Sequence, residues 1–591
     1  MAGLFSTFNI SRSGLNAQQT ALDVTSHNIS NANSVGYSRQ RARMEASKPQ
    51  TINNLSFQGD QLGTGVQVAT IERIRDSFTD YQIRNESSTL SAYASKSNFL
   101  TQVEGIFNEP SDTGISTLMG EFFDSWQKLS KDASSSNART IVAQQTKTLT
   151  DTLNDTAKKL KELEDNARTL IKSDVININS VLNQINDLNK QIRSVEVMGS
   201  NANDLMDKRD NLLDSLSSLM NINVEKNSLG GVTVTPGDKT NMLESDLVTT
   251  TEKDTNFRFS YISSIVKDSE APNDFTYTIS YYKLGDMLSE NNKNTIKVSG
   301  ISEKEFEQLN EGRVLWASVD GTAVKADGTK IANNGSIEFS ELQLFAPSSG
   351  ELNGNITIQK DIQDYRTQLD KLAQTLAYAV NGIHSGKVDG EKDALPFFVN
   401  GSLTNSARPW EGENTITAEN ITINKEILED VMKIKTKTND HLFDHTKDNN
   451  IDGETDGSRA LAIATLANTL IRVQGVSETI KNRKDFFDPS KGAELKDNGM
   501  VIESNINGMT LNSYYQDTID RLGIQSQQAQ RIVNNENALL DSLTALRNSI
   551  SGVSLDEEMA NLVQYQHAYQ ANAKVLATIT ELLDVIINGL I

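Results

Sequence analysis

The chain has no cysteine among its 591 residues, only eight prolines, and 6% aromatic residues. The lack of cysteine excludes disulfide bonds, thiolate metal sites and cysteine nucleophiles. Basic residues are outnumbered 56 to 78 by acidic ones, giving a net charge of −22 that disfavours binding to nucleic acid. Without an apolar run of membrane length, or a basic start followed by an apolar stretch, we predict no membrane span and no cleaved signal peptide. The scarcity of aromatics predicts thin, mainly aliphatic cores.

Proline is missing over two long stretches, 111–235 and 490–591. Such gaps permit long helices, because proline breaks helix interiors. Heptad-spaced apolar residues predict one long helix or two stacked helices over 137–197. A second helix is predicted at 203–220.

The central part of the chain has a different residue pattern. Short alternating runs occur at 232–235, 257–262 and 277–282, separated by turns rich in glycine and asparagine. This pattern predicts an antiparallel β domain over about 225–349. Helical periodicity resumes at about Ile358, near Ser458 and over 510–550.

The C-terminal segment carries the most regular pattern in the sequence. Apolar and small residues there repeat at 4-3-4-3 spacing, the a/d seam of a coiled coil, which must face a partner helix to leave water. Ser554 and Glu557 predict a capping box at its start. The seam is Leu555, Met559, Leu562, Gln566, Tyr569, Ala573, Leu576, Thr580, Leu583, Ile587 and Leu590.

The N-terminus carries a matching seam. We predict that the two end helices pair, that both are loose in the free monomer, and that they order on assembly. The predicted assembly interface takes the apolar and aromatic members of the C-terminal seam, without Gln566 and Thr580. Its N-terminal members are Leu4, Phe8, Leu15, Leu22 and Ile29.

The fold class predicted from these patterns is mainly α with a β insert. Terminal coiled-coil helices come from 1–33 plus 555–591. An elongated helical bundle is built from 34–224 plus 350–554, with a small loop- and β-rich stretch at 385–455. The β-rich insert, 225–349, projects outward.

No residue pattern predicts a catalytic, cofactor or metal site. His441 and His445 have metal-like spacing but no glutamate between them, so we favour loop histidines in solvent. The 448–453 segment begins like a calcium loop, yet Arg459 stands where a bidentate glutamate is required, which favours a polar turn. The 63–65 segment lacks the third glycine of a dinucleotide site and favours a turn before a strand.

The segment Asn28–Tyr37 (NISNANSVGY) resembles the N-terminal signature of bacterial flagellar axial proteins, although many relatives have proline where this chain has Val35. Gly63–Val66 and the residues after it, among them Arg73 and Arg84, resemble the next part of that signature. Three further stretches narrow the resemblance to the hook-associated proteins of this family. They are DLMDKRDNLL at 204–213, SGELNG at 349–354 with the helix ending VNGIH at 380–384, and GVSLDEEMANL with YQHAYQA at 552–571.

The resemblance implies a structural, non-enzymatic protein at the junction of hook and filament. It implies export in unfolded form through the flagellar type III apparatus, self-assembly into an axial polymer, and an extracellular location. The implied neighbours are the hook protein and hook-associated protein 3, with an export chaperone on the C-terminal helix.

Two alternatives remain open from the sequence. One is a helical adhesin or secreted effector with a ligand-binding or catalytic insert at 225–455. The other is a flagellin-like filament subunit, which should lack the Arg209-Asp210 stretch.

Overall fold

The computed structural model describes residues 2–52, 60–250, 256–268, 275–386, 395–403, 409–443, 447–497 and 499–588. The chain forms two compact units. Unit 1 comprises Met1–Tyr93, Ile171–Gly354 and Ile532–Ile591, and unit 2 comprises Ala94–Leu170 and Asn355–Arg531. The predicted division into terminal, bundle and insert domains remains a prediction.

Helix dominates the described residues, as predicted. The predicted long helix is a single element of 62 residues, α4. In chain order the helices are α1 (Ala2–Asn31), α2 (Ser77–Phe107), α3 (Ile115–Lys131), α4 (Ser136–Val197), α5 (Asn203–Leu219), α6 (Glu303–Gly312), α7 (Glu351–Ser385), α8 (Lys425–Glu429), α9 (Ser458–Thr465), α10 (Arg483–Phe486), α11 (Leu511–Ser551) and α12 (Leu555–Asn588).

Helix α7 begins seven residues before the predicted start at Ile358. Leu352 is fully buried, and this burial extends the helix through Gly354, which the sequence suggested was loop. Gly350 precedes the helix with φ +94°, and a Cβ there would lie 2.5 Å from the carbonyl oxygen of Leu219. The turn therefore needs glycine at this position.

The described strands are short, and most occur in pairs. They are β1 (Gln40–Ala46), β2 (Gln50–Ile52), β3 (Asp60–Leu62), β4 (Val66–Arg73), β5 (Ile222–Lys226), β6 (Val232–Pro236), β7 (Phe257–Lys267), β8 (Tyr277–Tyr282), β9 (Lys293–Ser299), β10 (Val314–Ser318), β11 (Gly335–Glu338), β12 (Phe398–Asn400), β13 (Ile421–Ile423), β14 (Leu495–Lys496) and β15 (Val501–Ile502). β1 pairs antiparallel with β4, and α1 packs on both strands.

The predicted β insert contains a five-stranded sheet in the order β10-β7-β8-β9-β11. Three of its four pairings are antiparallel, as predicted, but β11 runs parallel to β9. The chain between these two strands includes α6 and β10, which gives it the length that a parallel crossover needs. Ile262, Ile279 and Val298 form the buried centre of this sheet.

The expectation of aliphatic cores is wrong in places, because the few aromatic residues are concentrated. In unit 2 the rings of Trp126 and Phe397 lie 5.1 Å apart, and Phe122 packs beside Trp126. In unit 1 Phe259 and Phe345 stack at 4.2 Å. Each unit therefore has an aromatic centre within an otherwise aliphatic interior.

Candidate assembly interface

The helices at the two ends of the described chain pack against each other within unit 1. Asn28 of α1 contacts Glu558 of α12, and Gly14 faces Asn572. The same number of residues separates the two contacts on each helix, in opposite directions along the chain, so the helices are antiparallel. The predicted pairing of the two ends is therefore present within a single chain, whereas the predicted looseness of the free monomer stays a prediction.

Helix α12 packs with a heptad seam whose register differs from the prediction. Its buried and half-buried residues also repeat at 4-3-4-3 spacing: Glu558, Leu562, Tyr565, Tyr569, Asn572, Leu576, Ile579, Leu583 and Ile586. One series of the predicted seam coincides with this set, namely Leu562, Tyr569, Leu576 and Leu583. The other series is displaced by one residue toward the N-terminus.

Because of that displacement, several predicted seam residues face solvent. Ala573 is half-buried at the seam's edge, and Leu590 lies outside the described residues. The polar contacts of Glu558 fix the register, and hydrophobic spacing alone does not reveal them. The exposed members of the predicted seam are Leu555, Met559, Gln566, Thr580 and Ile587.

On α1 all five predicted seam residues are only half-buried. They are Leu4, Phe8, Leu15, Leu22 and Ile29. The fully buried face is made mostly of small side chains: Ser11, Gly14, Ala17, Ala21, Val24, Thr25 and Asn28. Small residues allow close approach of helix axes, because the side chains at the contact set the interaxial distance. A search for large apolar residues misses such a face, although the spacing of Ser11 and Thr25 belongs to the same pattern.

Asn28 ties α1, β1 and α12 together. Its amide nitrogen donates to the Gln40 carbonyl oxygen at 2.8 Å and to Glu558 Oε2 at 3.0 Å. Its amide oxygen accepts from the Gln40 N–H at 3.0 Å and from the Tyr37 hydroxyl at 2.8 Å. Burial, aided by nearby carboxylates, raises the pKa of Tyr37, so this hydroxyl stays protonated and donates.

Arg39 connects β1 to the first turn of α12. Its guanidinium bonds Glu557 at 2.8 Å and Glu558 at 2.8 Å. The Glu557 N–H lies 3.5 Å from the Ser554 hydroxyl, while its carboxylate is on Arg39 rather than turned back as in the predicted capping box. The acidic first turn also suits the positive end of the helix dipole.

A cluster of buried charged residues supports this region, and it includes two aspartates of the 204–213 stretch. Arg73 bonds Asp207 at 2.8 Å and Asp210 at 2.6 Å, and Arg84 lies 3.6 Å from Asp210. Asp207 also accepts from the Ser38 N–H at 3.0 Å. The cluster therefore positions the segment that presents Tyr37, Arg39 and Gln40 to the end helices.

Two of the residues considered for metal binding, His441 and Asp452, make hydrogen bonds within the protein. His441 Nδ1 lies 2.6 Å from the Arg459 guanidinium, and His445 is outside the described residues. Asp452 accepts from Asn439 and Asn449, as in a polar turn. Within the described residues no group of histidine, cysteine or acidic side chains is placed to hold a metal ion, and no helix is long and apolar enough to cross a membrane.

The 63–65 segment precedes β4, as predicted. Thr64 Oγ1 donates to the carbonyl oxygen of Lys48 at 2.7 Å. Arg41 pairs with Glu72 at 2.6 Å across the β1–β4 ladder. These contacts are those of a strand pair beneath α1.

Three segments of the chain match known protein families. Residues 100–293 match the flagellar hook-associated protein FlgK helical domain. Residues 8–37 match the flagella basal body rod protein family, and residues 547–589 match the flagellar basal body rod FlgEFG protein C-terminal family. The last two matches fall on α1 and α12, the paired helices.

Relatives align along the whole chain. Flagellar hook-associated protein 1 of Bacillus subtilis is 29% identical over 100% of this chain and 99% of its own length. The chain is similar to flagellar hook-associated protein 1 along its whole length. The Escherichia coli member is 26% identical over 99% of both chains. A solved structure, the flagellar hook junction protein FlgK from Burkholderia pseudomallei, is 13% identical with a TM-score of 0.48, covering 80% of this chain and 100% of the other.

The chain is a structural component of the bacterial flagellum. The stretches that carried the resemblance have identifiable structural roles. Asn28 and Tyr37 of the first stretch form the junction with α12. Asp207 and Asp210 of the 204–213 stretch form the buried charge cluster.

We expect Gly14→Val to loosen the α1–α12 pair. Even a single Cβ at Gly14 would lie 2.9 Å from Asn572 Oδ1, and a branched side chain adds volume where the helices touch. Overpacking costs about 1–3 kcal/mol, so amide exchange in 565–579 should accelerate by about tenfold or more. Asn16→Val, on the exposed side of α1, is the control and should leave that exchange unchanged. Equal exchange in both variants would contradict the close contact.

Proposed function

We propose that the α1–α12 pair is the element through which copies of this chain assemble at the junction of hook and filament. The observation that carries the proposal is the apolar surface that the pair leaves in water. Phe5 is 53% exposed and Val585 is 68% exposed, although both lie on helices already packed on another face. Met559, Val563 and Leu582 are exposed on α12 as well. Burying a large apolar side chain contributes roughly 1.5–3 kcal/mol, which neighbouring copies supply on assembly.

The proposal includes a route and a set of neighbours. The chain is exported unfolded through the flagellar type III apparatus and reaches an extracellular position. The hook protein and hook-associated protein 3 are its neighbours along the axis, and a chaperone covers α12 before export. The role is structural rather than enzymatic. Support for these points comes from the family and from a cysteine-free chain, in which no disulfide obstructs unfolding for export.

The deciding experiment replaces Leu576 and Leu583 with aspartate in the full-length chain. Both residues are half-buried in the seam that faces α1, so a carboxylate at each position disfavours contact between the helices. We expect that this variant is not incorporated into flagella. The circular dichroism signal from the rest of the chain should be unchanged. The measurement is the amount of protein in isolated hook–filament junctions.

A matched control carries the same charges away from the seam. Gln570→Asp with Ala577→Asp keeps the seven-residue spacing on exposed positions of α12. This variant should incorporate almost normally. Normal incorporation of the Leu576/Leu583 variant would overturn the proposal and favour the adhesin or effector alternative, whose function survives loss of both ends.

A further inference from the structure

Helix α12 carries a second apolar stripe on a face about 100° around the helix from its seam. Residues of its C-terminal half repeat there at 4-3-4-3 spacing, and every one of them is exposed. The stripe contains no charged residue, although 23% of the chain is charged. We call it the outward stripe, and it consists of Ala571, Val575, Thr578, Leu582 and Val585.

Helix α11 carries a comparable stripe near its C-terminal end, also within unit 1. Its members repeat at 4-3-4 spacing, and all but the half-buried Leu543 are exposed. These positions are large, aliphatic and uncharged. We call this set the α11 stripe, and it consists of Leu539, Leu543, Leu546 and Ile550.

We propose that the outward stripe of one copy packs against the α11 stripe of a second copy. This inference rests on the proposed function and specifies which faces meet. Both stripes have the spacing of a coiled-coil contact, which a partner helix with the same spacing can complete. A contact between two different surfaces of identical chains leaves one of each free at the ends, so it can propagate into an open or ring-shaped assembly. A stripe that paired with itself would instead stop at a dimer.

The two stripes are too short to hold a stable dimer together by themselves, which agrees with a contact that forms within a polymer. At 1.5 Å per residue the outward stripe is about 21 Å long and the α11 stripe about 16 Å. Helix contacts of this length fall below the area that specific stable complexes bury, about 1,200 Å² in total. The contact therefore persists only where the α1–α12 pair and further copies add to it.

The absence of cysteine makes a direct cross-linking test possible. Leu546→Cys is introduced into one full-length chain and Leu582→Cys into another. The two chains are mixed at about 100 μM with a bis-maleimide spanning ~10 Å, which covers about one helical turn on either side. We expect the mixed dimer to exceed either homodimer at least fivefold, and a chain with both substitutions to give a ladder of multimers.

Control positions lie on other faces of the same helices. Gln570→Cys replaces Leu582→Cys in one control, and Asn537→Cys replaces Leu546→Cys in the other, both at exposed sites. Mixed dimers at the control level, or homodimers equal to the mixed dimer, would overturn the inference. A Leu582→Asp variant that enters flagella normally would do the same, while loss of incorporation in the Leu576/Leu583 variant would leave the proposed function standing.

Discussion

Asp210→Ala should lower the free energy of unfolding of unit 1 by about 3–5 kcal/mol, the usual penalty for removing one partner of a buried ion pair. Asp210 is 7% exposed and lies 2.6 Å from Arg73, 3.5 Å from Arg75 and 3.6 Å from Arg84. Its removal takes one carboxylate from all three guanidinium groups and adds net positive charge to the buried cluster, although Arg73, Arg75 and Arg84 keep Asp207, Asp80 and Asp214 respectively. Urea denaturation followed by circular dichroism measures the change.

The control for this prediction is Asp204→Ala. Asp204 lies on the same helix, but its side chain is 61% exposed, so its loss should change stability by less than about 1 kcal/mol. Similar destabilisation by both variants would show that the buried position of Asp210 adds nothing to its contribution to stability.

The same cluster predicts a dependence on pH. Burial alone would raise the pKa of Asp210, but Arg75, Arg73 and Arg84 together outweigh it and lower that pKa to about 2. A carboxyl group whose pKa is lower in the folded state stabilises the fold above its unfolded pKa, and that stabilisation declines as pH falls toward the folded value. Wild-type stability should therefore decrease between about pH 4 and pH 2, and Asp210→Ala should show a smaller decrease.

Asn28→Ala should detach the C-terminal end of α1 from β1 and α12 together. The substitution removes four hydrogen bonds. It leaves the Gln40 N–H and carbonyl oxygen without the Asn28 side chain, whereas the Tyr37 hydroxyl keeps His27 Nδ1 at 2.9 Å. Each buried polar group left unsatisfied costs about 1–3 kcal/mol, so we expect a loss of about 2–4 kcal/mol. Hydrogen exchange over 2–31 and 555–588 should show both helices losing protection in parallel.

Asn31→Ala tests whether this effect is specific to the junction. The Asn31 side chain donates only to the His27 carbonyl one turn earlier, at 3.0 Å. Its loss should leave exchange on α12 unchanged. If α12 keeps its protection in Asn28→Ala as well, the junction does not hold the helix pair.

Local patterns determined much of the architecture in advance. A proline-free heptad run was sufficient for α4, which is one helix from Ser136 to Val197. Alternating residues were likewise sufficient for β7 and β8. The helix follows from periodicity because its burial repeats along its length, whereas β7 and β8 are buried without alternation over most of their residues.

The details of the interface depend on contacts between residues far apart in sequence. Met559 and Glu558 are neighbours, and spacing alone favours the methionine for the seam, yet Asn28 and Arg39 draw the glutamate inward. Arg73 and Asp210 form an ion pair across 137 positions, which no local pattern indicates. The sequence therefore predicted that the end helices pair, but it did not predict their register or the cluster beneath them.

The bond between Asn28 and Glu558 joins residues separated by 530 positions. Almost the whole chain lies between the two helices, so α1 can pair with α12 only when residues 555–588 are present. A chain truncated before residue 555 therefore leaves α1 without this partner helix. Closing so large a loop costs only about 0.6 kcal/mol more than closing a loop half as long. A chain that lacks either end helix therefore cannot form this contact.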